Sequence, residues 1–408
     1  MNKPNIVLRA PVFSQSGYGA HSRDIAISLW NSQKFNIAIL PTQWGGSTNT
    51  ADTIPVKDKE VLLFMCNNVI HKYVPFIFVH VGIPPEFTKV GNLNVGITAG
   101  LESNKIPKEW VDKCNLMDLV IVPSNFQRDV FKNSGVTTKI AVVEEGVDTS
   151  IFNNNPVNSD VFVYKLLDDL PCEKNLLGVG QWLQGGIGED RKGIGLLLNL
   201  FVKTFENNKK VGLVLKTQIS NNSSYDYYHV QQRIKSIKGN ALYPKITLLH
   251  GNLTDEEMAI VYKHPKITGF VSLTSGEGWG RGIAEAVACD LPVAVTGWSG
   301  HMHFINPKYF NVIDFDLKPV SKGALSTGFF TPDMIWAYPN IEDAKKKIKD
   351  LIDNEEENRK KAKEAGEIFR KSFSKESTYS KLIDLFSNLS QSLISKSSLG
   401  NILTLDKV

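Results

Sequence analysis

Apolar positions along this chain fall into two alternating patterns. Short continuous runs bounded by polar or glycine-rich turns read as buried strands. Stretches with apolar residues every three or four positions read as helices. Residues 5–10 form the first run, and the loop that follows ends in Ser16-Gly17-Tyr18-Gly19. Helical spacing then covers 20–30 through Ile25, Ala26, Leu29 and Trp30. Strands are expected at 35–40, 61–66, 76–81, 94–99, 116–122 and 140–143. Between them, 106–114 reads as a helix with Pro107 in its first turn, and Ser124 caps a helix through 131. The stretch 153–160, rich in Asn, reads as a linker.

A second alternating series follows. Strands are expected at 176–180, 211–216, 246–250, 267–273 and 291–296. Helices are expected at 194–205, from about 224 to 237, at 255–263 and from 283 onward. The stretch 341–370 is charged and amphipathic, and 374–393 reads as a last helix. Strand–helix alternation of this kind specifies an α/β fold with mostly parallel, doubly wound sheets. At 408 residues the chain is too long for one core. The expected organisation is two Rossmann-like domains, 1–155 and 156–372, facing across a cleft. A helix at 373–394 would pack back toward the first domain, and 395–408 would form a tail.

Composition narrows the class without changing it. With 42% hydrophobic and 22% charged residues, the chain reads as an ordinary globular protein. No apolar run is long enough for a membrane span, and residues 1–9 lack the pattern of a signal peptide, so no stable membrane insertion is expected. Cys66, Cys114, Cys172 and Cys289 are scattered without metal or redox spacing, which suits reduced thiols in a cytoplasmic protein. A net charge of +4 neither demands nor excludes a nucleic-acid partner.

The stretch with most chemistry is Thr274-Ser275-Gly276-Glu277-Gly278-Trp279-Gly280-Arg281-Gly282-Ile283-Ala284-Glu285. An apolar strand leads into a glycine turn and then a helix. Glycines let backbone approach a ligand closely, and a helix N-terminus attracts phosphate. Glu277 and Glu285, separated by seven residues, could each accept from vicinal hydroxyls, so the turn reads as a cradle for a sugar nucleotide. Lys216 ends a strand on the same sheet edge as this turn and the Trp298 loop, the edge where open α/β sheets bind ligands. In the first domain, Gly17 and Gly19 could let backbone pass close to a phosphate or an acceptor. His21, Trp44, His80 and Glu102 are candidate acceptor-side groups. Asp314-Phe315-Asp316 has the form of a metal-binding Asp-x-Asp but falls well after the donor segment, so no metal ligand is assigned.

On these residues the chain resembles the family-4 glycosyltransferases, retaining enzymes of the two-domain GT-B fold. The resemblance covers nearly the whole chain. It rests on Gly178-Val179-Gly180, Asp190-Arg191-Lys192-Gly193, Leu213-Val214-Leu215-Lys216, Glu277-Gly278-Trp279-Gly280, Glu285 and Pro292. In the first domain it rests on Pro123-Ser124-Asn125-Phe126 and Glu145-Gly146-Val147-Asp148. The resemblance implies that Glu285 holds the donor ribose and Glu277 the donor sugar. The backbone of Gly278, Trp279 and Gly280 would line the same site beside Arg281, and Lys192 would neutralise the diphosphate. The family commonly has an arginine after the glycine that ends the first strand of this domain. Here Gln181 stands in its place, so Arg191 or Lys216 would have to supply the cation.

The implied donor is a UDP- or GDP-sugar, with no prosthetic group and no obligatory metal. The acceptor is open: a glycan, a small molecule, a protein, or a hydroxymethylated base of viral DNA. That base would have to be flipped out of a duplex. A non-catalytic sugar-nucleotide-binding module is the competing class. A nicotinamide-dependent oxidoreductase is disfavoured because the loop before 20–30 lacks the full glycine fingerprint.

Overall fold

Continuous apolar strands need cover on both faces, and the chain supplies it by alternating strand with helix. The computed structural model describes residues 3–49, 51, 53–71, 74–325 and 328–403, with side chains through 391. The elements of the first half are β1 (Asn5–Ala10), α1 (Gly17–Asn31), β2 (Asn36–Pro41), α2 (Val56–Asn67), β3 (Phe76–Val81), β4 (Leu93–Ile97), α3 (Lys108–Cys114), β5 (Leu119–Val122), α4 (Asn125–Asn133) and β6 (Ile140–Val142). Then come α5 (Phe162–Asp168), β7 (Lys174–Val179), α6 (Ile194–Thr204), β8 (Val211–Lys216), α7 (Ser224–Lys238), β9 (Lys245–Leu249), α8 (Asp255–Lys263), β10 (Ile267–Ser272), α9 (Arg281–Ala288) and β11 (Val293–Thr296). The chain ends with β12 (Asn311–Ile313), β13 (Phe315–Pro319), β14 (Ile335–Pro339), α10 (Ile341–Asp353), α11 (Glu355–Phe373) and α12 (Lys375–Leu403).

Two parallel six-stranded sheets result, in the orders β2-β1-β3-β4-β5-β6 and β12-β11-β10-β7-β8-β9. Each carries helices between its strands, giving two Rossmann-like α/β units. The first unit comprises residues 1–100, 106–146 and 375–408; the second comprises 101–105 and 147–374. The chain therefore enters the second unit at 147, ahead of the Asn-rich stretch, because Phe152 is already buried in the second unit's core.

In the first unit, Ile6 and Leu8 of β1 pack with Ile25 and Leu29 of α1 and with Tyr379, Leu382 and Phe386 of α12. In the second unit the sheet is covered on both faces. Ile260 of α8, Val287 of α9 and Phe369 of α11 share one core, while Leu197 and Phe201 of α6, Val230 of α7 and Ile348 of α10 share the other.

Several elements differ from the expectation. The run at 61–66 is not a strand but the second half of α2. Only Leu62 and Met65 are buried there, an i, i+3 pair on one helical face, while Leu63 and Phe64 are exposed. The stretch 341–370 is two helices, separated at Asn354. The hairpin β13–β14 and the helix α5 were not anticipated. The backbone of α12 continues through Leu403 rather than ending near 394, since nothing in 395–399 breaks a helix; residues 404–408 of the expected tail lie outside the described residues. Among the described residues, no helix is long and apolar enough to cross a membrane, and all four cysteines are free.

Candidate functional site

The parallel second sheet brings the ends of β7, β8, β9, β10 and β11 to one edge. There the loop after β7 is bound to the turn after β10. The Ser275 amide donates to the Arg191 carbonyl at 2.7 Å, and Thr274 Oγ1 lies 3.1 Å from the same oxygen. Gly193 opens α6 with φ +66°, and a Cβ on it would lie 2.3 Å from the Leu273 carbonyl oxygen. Only glycine permits that approach. This explains in physical terms why the Asp190-Arg191-Lys192-Gly193 run sits where it does.

Glu277 is at the centre. Its carboxylate accepts from Lys192 Nζ at 2.7 and 2.8 Å and from Thr274 Oγ1 at 3.0 Å. Arg191 NH1 lies 3.6 Å from Glu277 Oε2 and donates to the Gly276 carbonyl at 2.7 Å. Burial works against ionisation of Glu277, but the charges of Lys192 and Arg191 outweigh it and hold the carboxyl down to about 2. A carboxyl held that low stays ionised at neutral pH and is a weak proton acceptor there.

The backbone of Glu277 is fixed as firmly as its side chain. Its amide donates to Ser299 Oγ at 2.8 Å, and its carbonyl accepts from the Gly300 amide at 2.9 Å. Ser299 holds φ +88°, a strained value for a residue with a side chain. His301 follows, fully buried, with Nε2 2.7 Å from the Thr296 carbonyl. Burial lowers its pKa, so it sits beside Glu277 as a neutral ring.

Glu102 joins this cluster from the segment 101–105, which packs within the second unit. Its carboxylate lies 3.0 Å from Arg191 NH1. Ser103 donates to the Ile335 carbonyl at 3.4 Å, the Ile335 amide donates to Asn104 Oδ1 at 2.8 Å, and Lys105 pairs with Asp333. The hairpin β13–β14 thus holds the segment that carries Glu102. Two cations, Arg191 and Lys192, are balanced by two carboxylates, Glu102 and Glu277.

The third cation stands apart. Lys216, at the end of β8, donates to the Gly251 carbonyl at 2.6 Å and has no carboxylate partner among the described residues. Burial lowers its pKa to about 8. It is the group best placed to gain from an arriving anion. The N-terminus of α9 has no side-chain cap, and Gly280 there holds φ +95°. Arg281, half-buried, is the first residue of that helix.

Glu285 falls just over one turn into α9, because the helix begins at Arg281. The Tyr262 hydroxyl donates to its Oε2 at 3.1 Å and orients the carboxylate. Trp279 is 2% exposed, with its ring against His303, Phe304 and Phe373. Its side chain belongs to the core, which leaves its backbone to line the turn with Gly278. Gln181 is exposed and donates to the Ile219 carbonyl at 2.7 Å.

The first-unit candidates separate. Gly19 is in the first turn of α1, where a Cβ would lie 1.9 Å from the Ser14 carbonyl oxygen, so it is required by packing. Gly17, also in that turn, has open space around it. His21 is buried, with Nδ1 3.1 Å from the Tyr379 hydroxyl of α12, and is a core residue. His80 is buried at the end of β3 among Phe78 and Phe87, and burial takes its pKa down to about 4. Trp44 stacks on Tyr18, with ring centroids 3.9 Å apart. The Tyr18 hydroxyl is held by Thr98 and by the Ala99 amide, each at 2.9 Å, so the pair forms a fixed aromatic platform.

Thr274 and Ser299 were given no role by the sequence, and no spacing rule would have found them. No group of three or more potential metal ligands occurs among the described residues, and Asp314 and Asp316 are exposed, the latter paired with Lys318.

No family model matches the sequence, and no curated protein matches it. Solved structures do match in fold. A glycosyltransferase from Rickettsia africae is 14% identical, with a TM-score of 0.64 over 97% of this chain and 99% of that one. Sucrose-phosphate synthase from Thermosynechococcus elongatus is 13% identical, with a TM-score of 0.63 over 97% and 100%. HepE from Anabaena, solved with UDP-glucose, is 14% identical, with a TM-score of 0.63 over 94% and 99%. The chain shares their two-domain GT-B fold.

Proposed function

We propose that this protein is a retaining glycosyltransferase that moves a sugar from a nucleoside-diphosphate sugar to an acceptor hydroxyl. The observation that carries the reading is the Lys192–Glu277 pair, fixed at the uncapped N-terminus of α9. In this reading Lys192, Lys216 and the α9 dipole take the diphosphate, where negative charge grows as the leaving group departs. Arg191 shares itself with Glu102. Glu277 and the backbone of 278–280 take the sugar hydroxyls, and Glu285, oriented by Tyr262, takes the ribose. UDP-sugars are the first donors to test, because the fold relative HepE was solved with UDP-glucose.

The bond from the sugar C1 to the phosphate oxygen breaks as the acceptor oxygen bonds C1 on the same face. The acceptor proton passes to a donor phosphate oxygen. That route needs no protein base, which agrees with a Glu277 carboxyl held down to about 2. On the acceptor side, the Tyr18–Trp44 platform supports a ring, either a sugar or a base.

The test is a panel of UDP-, GDP- and ADP-sugars in thermal unfolding, since a ligand that binds only the folded state raises the melting temperature. Donor hydrolysis and transfer follow, with glycans and hydroxymethylated DNA as acceptors and the anomer assigned by NMR. If no nucleotide raises the melting temperature and none is hydrolysed, the reading fails. A competing reading, a non-catalytic sugar-nucleotide-binding module, draws on Gln181, a neutral amide committed to a carbonyl. It requires stabilisation without hydrolysis or transfer.

A further inference from the structure

Outside the donor site, the second unit carries a groove of ≈ 440 Å³ along α7 and the loop after β8. Its lining includes Ile219, Tyr225, His229, Gln232, Arg233 and Ser236. Tyr225 is 74% exposed, and Tyr228, one turn on, is 55% exposed. The two rings meet His229 edge-on, with centroids at 4.2 and 5.7 Å.

The charges at this groove are all used internally. Asp226 is buried, and its carboxylate accepts from the Ile219 and Ser220 amides, the Ser220 hydroxyl and His250. Arg233 donates to the Trp182 and Leu183 carbonyls and stacks over the Trp182 ring. What remains to meet a ligand in the lining is the Tyr225 hydroxyl, Gln232, Ser236 and His229 Nε2, with the exposed Tyr228 ring against His229. None of these has a hydrogen-bond partner among the described residues, and His229 Nε2 is a buried atom.

We infer that this groove is a second binding site for a neutral saccharide chain. Rings for stacking and uncharged groups that both donate and accept match a polyhydroxylated, uncharged ligand. Single-stranded nucleic acid would need cations free to meet its phosphates, and Arg233, the only Lys or Arg lining the groove among the described residues, is already bonded. The groove floor is also tied to the donor edge. Asp226 holds His250, and the next residue, Gly251, accepts from Lys216. The inference goes beyond the transfer reaction, because saccharide binding here needs no donor.

The experiment is affinity electrophoresis of the full chain through gels containing neutral polysaccharides (amylose, dextran, xylan, galactomannan, chitosan-free chitin oligomers). Y225A/Y228A and a K192A/E277Q variant run beside it. Both tyrosines are exposed, so the double variant should melt with the wild type. The expected result is retardation by at least one polysaccharide, weakened about tenfold in Y225A/Y228A and retained in K192A/E277Q. The inference is overturned if no polysaccharide retards the wild type, or if retardation survives the loss of both tyrosines. Loss in K192A/E277Q alone would also overturn it, by assigning the binding to the donor site. Because the readout is binding, it stands or falls separately from transferase activity.

Discussion

Lys192 Nζ contacts both oxygens of the Glu277 carboxylate, at 2.7 and 2.8 Å, across 85 residues of sequence. The pair is ready-made, since both backbone groups of Glu277 are held by Ser299 and Gly300. Replacement by Gln keeps the shape and removes the charge. E277Q should lower kcat about 10²–10³-fold, the range for losing one preorganised electrostatic group. It should destabilise the fold by only about 1–3 kcal/mol, the cost of imperfect pairing at a buried site. Steady-state kinetics and urea unfolding check the two numbers together. A stability loss large enough to account for the whole activity loss would reassign Glu277 as structural.

The same carboxyl gives the fold an acid dependence. Its folded pKa, about 2, is below the unfolded value of 4.5. Its stabilisation is therefore fully present above pH 4.5 and is lost as pH falls from there through about 2. Wild type should lose stability more steeply than E277Q across that window, as measured by urea midpoints at successive pH values.

Lys216 gives a stability dependence of the same sign in the alkaline range. Burial lowers its folded pKa from 10.5 to about 8. Between those values the unfolded chain binds more protons, so stability rises with pH across the window. Anion binding runs the other way, because a bound diphosphate needs the ammonium. Affinity for UDP should fall as pH rises through about 8, and K216R, which keeps its charge, should flatten that fall. Titration calorimetry from neutral to alkaline pH reads both curves.

Glu102 restrains Arg191 at 3.0 Å. E102Q should release the guanidinium toward an arriving phosphate and tighten UDP binding by about 3–10-fold, the scale of one partly buried charge interaction. Unchanged or weaker UDP binding would show that Arg191 does not reach the ligand.

Two glycines near one another in α1 should behave oppositely. G19A places a Cβ 1.9 Å from the Ser14 carbonyl oxygen and should destabilise by about 3 kcal/mol or more. G17A meets nothing within 4 Å. It should be neutral or stabilising by up to about 1 kcal/mol. Loss of activity in G17A with unchanged melting would indicate that a ligand approaches the backbone there.

The sheets were legible because buried strands such as β3 and β10 are nearly continuous apolar runs between turn residues. The same rule misread α2, whose apolar run at 61–66 buries only two side chains and leaves Phe64 exposed. The β13–β14 hairpin escaped notice because β13 is mostly exposed and lacks an apolar face. Among the site candidates, the Glu277 turn declared itself through its glycines and the strand before it. The approach of Glu102 to Arg191 left no local signal, since ion pairing across 89 residues has no periodicity. Trp279 and His21 look alike as candidates in sequence, and both proved to be core residues, because buried packing and ligand contact favour the same residue types.

The chain leaves the first unit at Gly146 and returns to it at Lys375, where α12 puts Tyr379, Leu382 and Phe386 into that unit's core. A ribosome therefore finishes the first sheet long before it makes the helix that covers it. At ~5–20 residues per second, the intervening 228 residues (374 − 146) impose a delay of roughly 10–45 s. During that interval the first unit's core lacks Tyr379, Leu382 and Phe386.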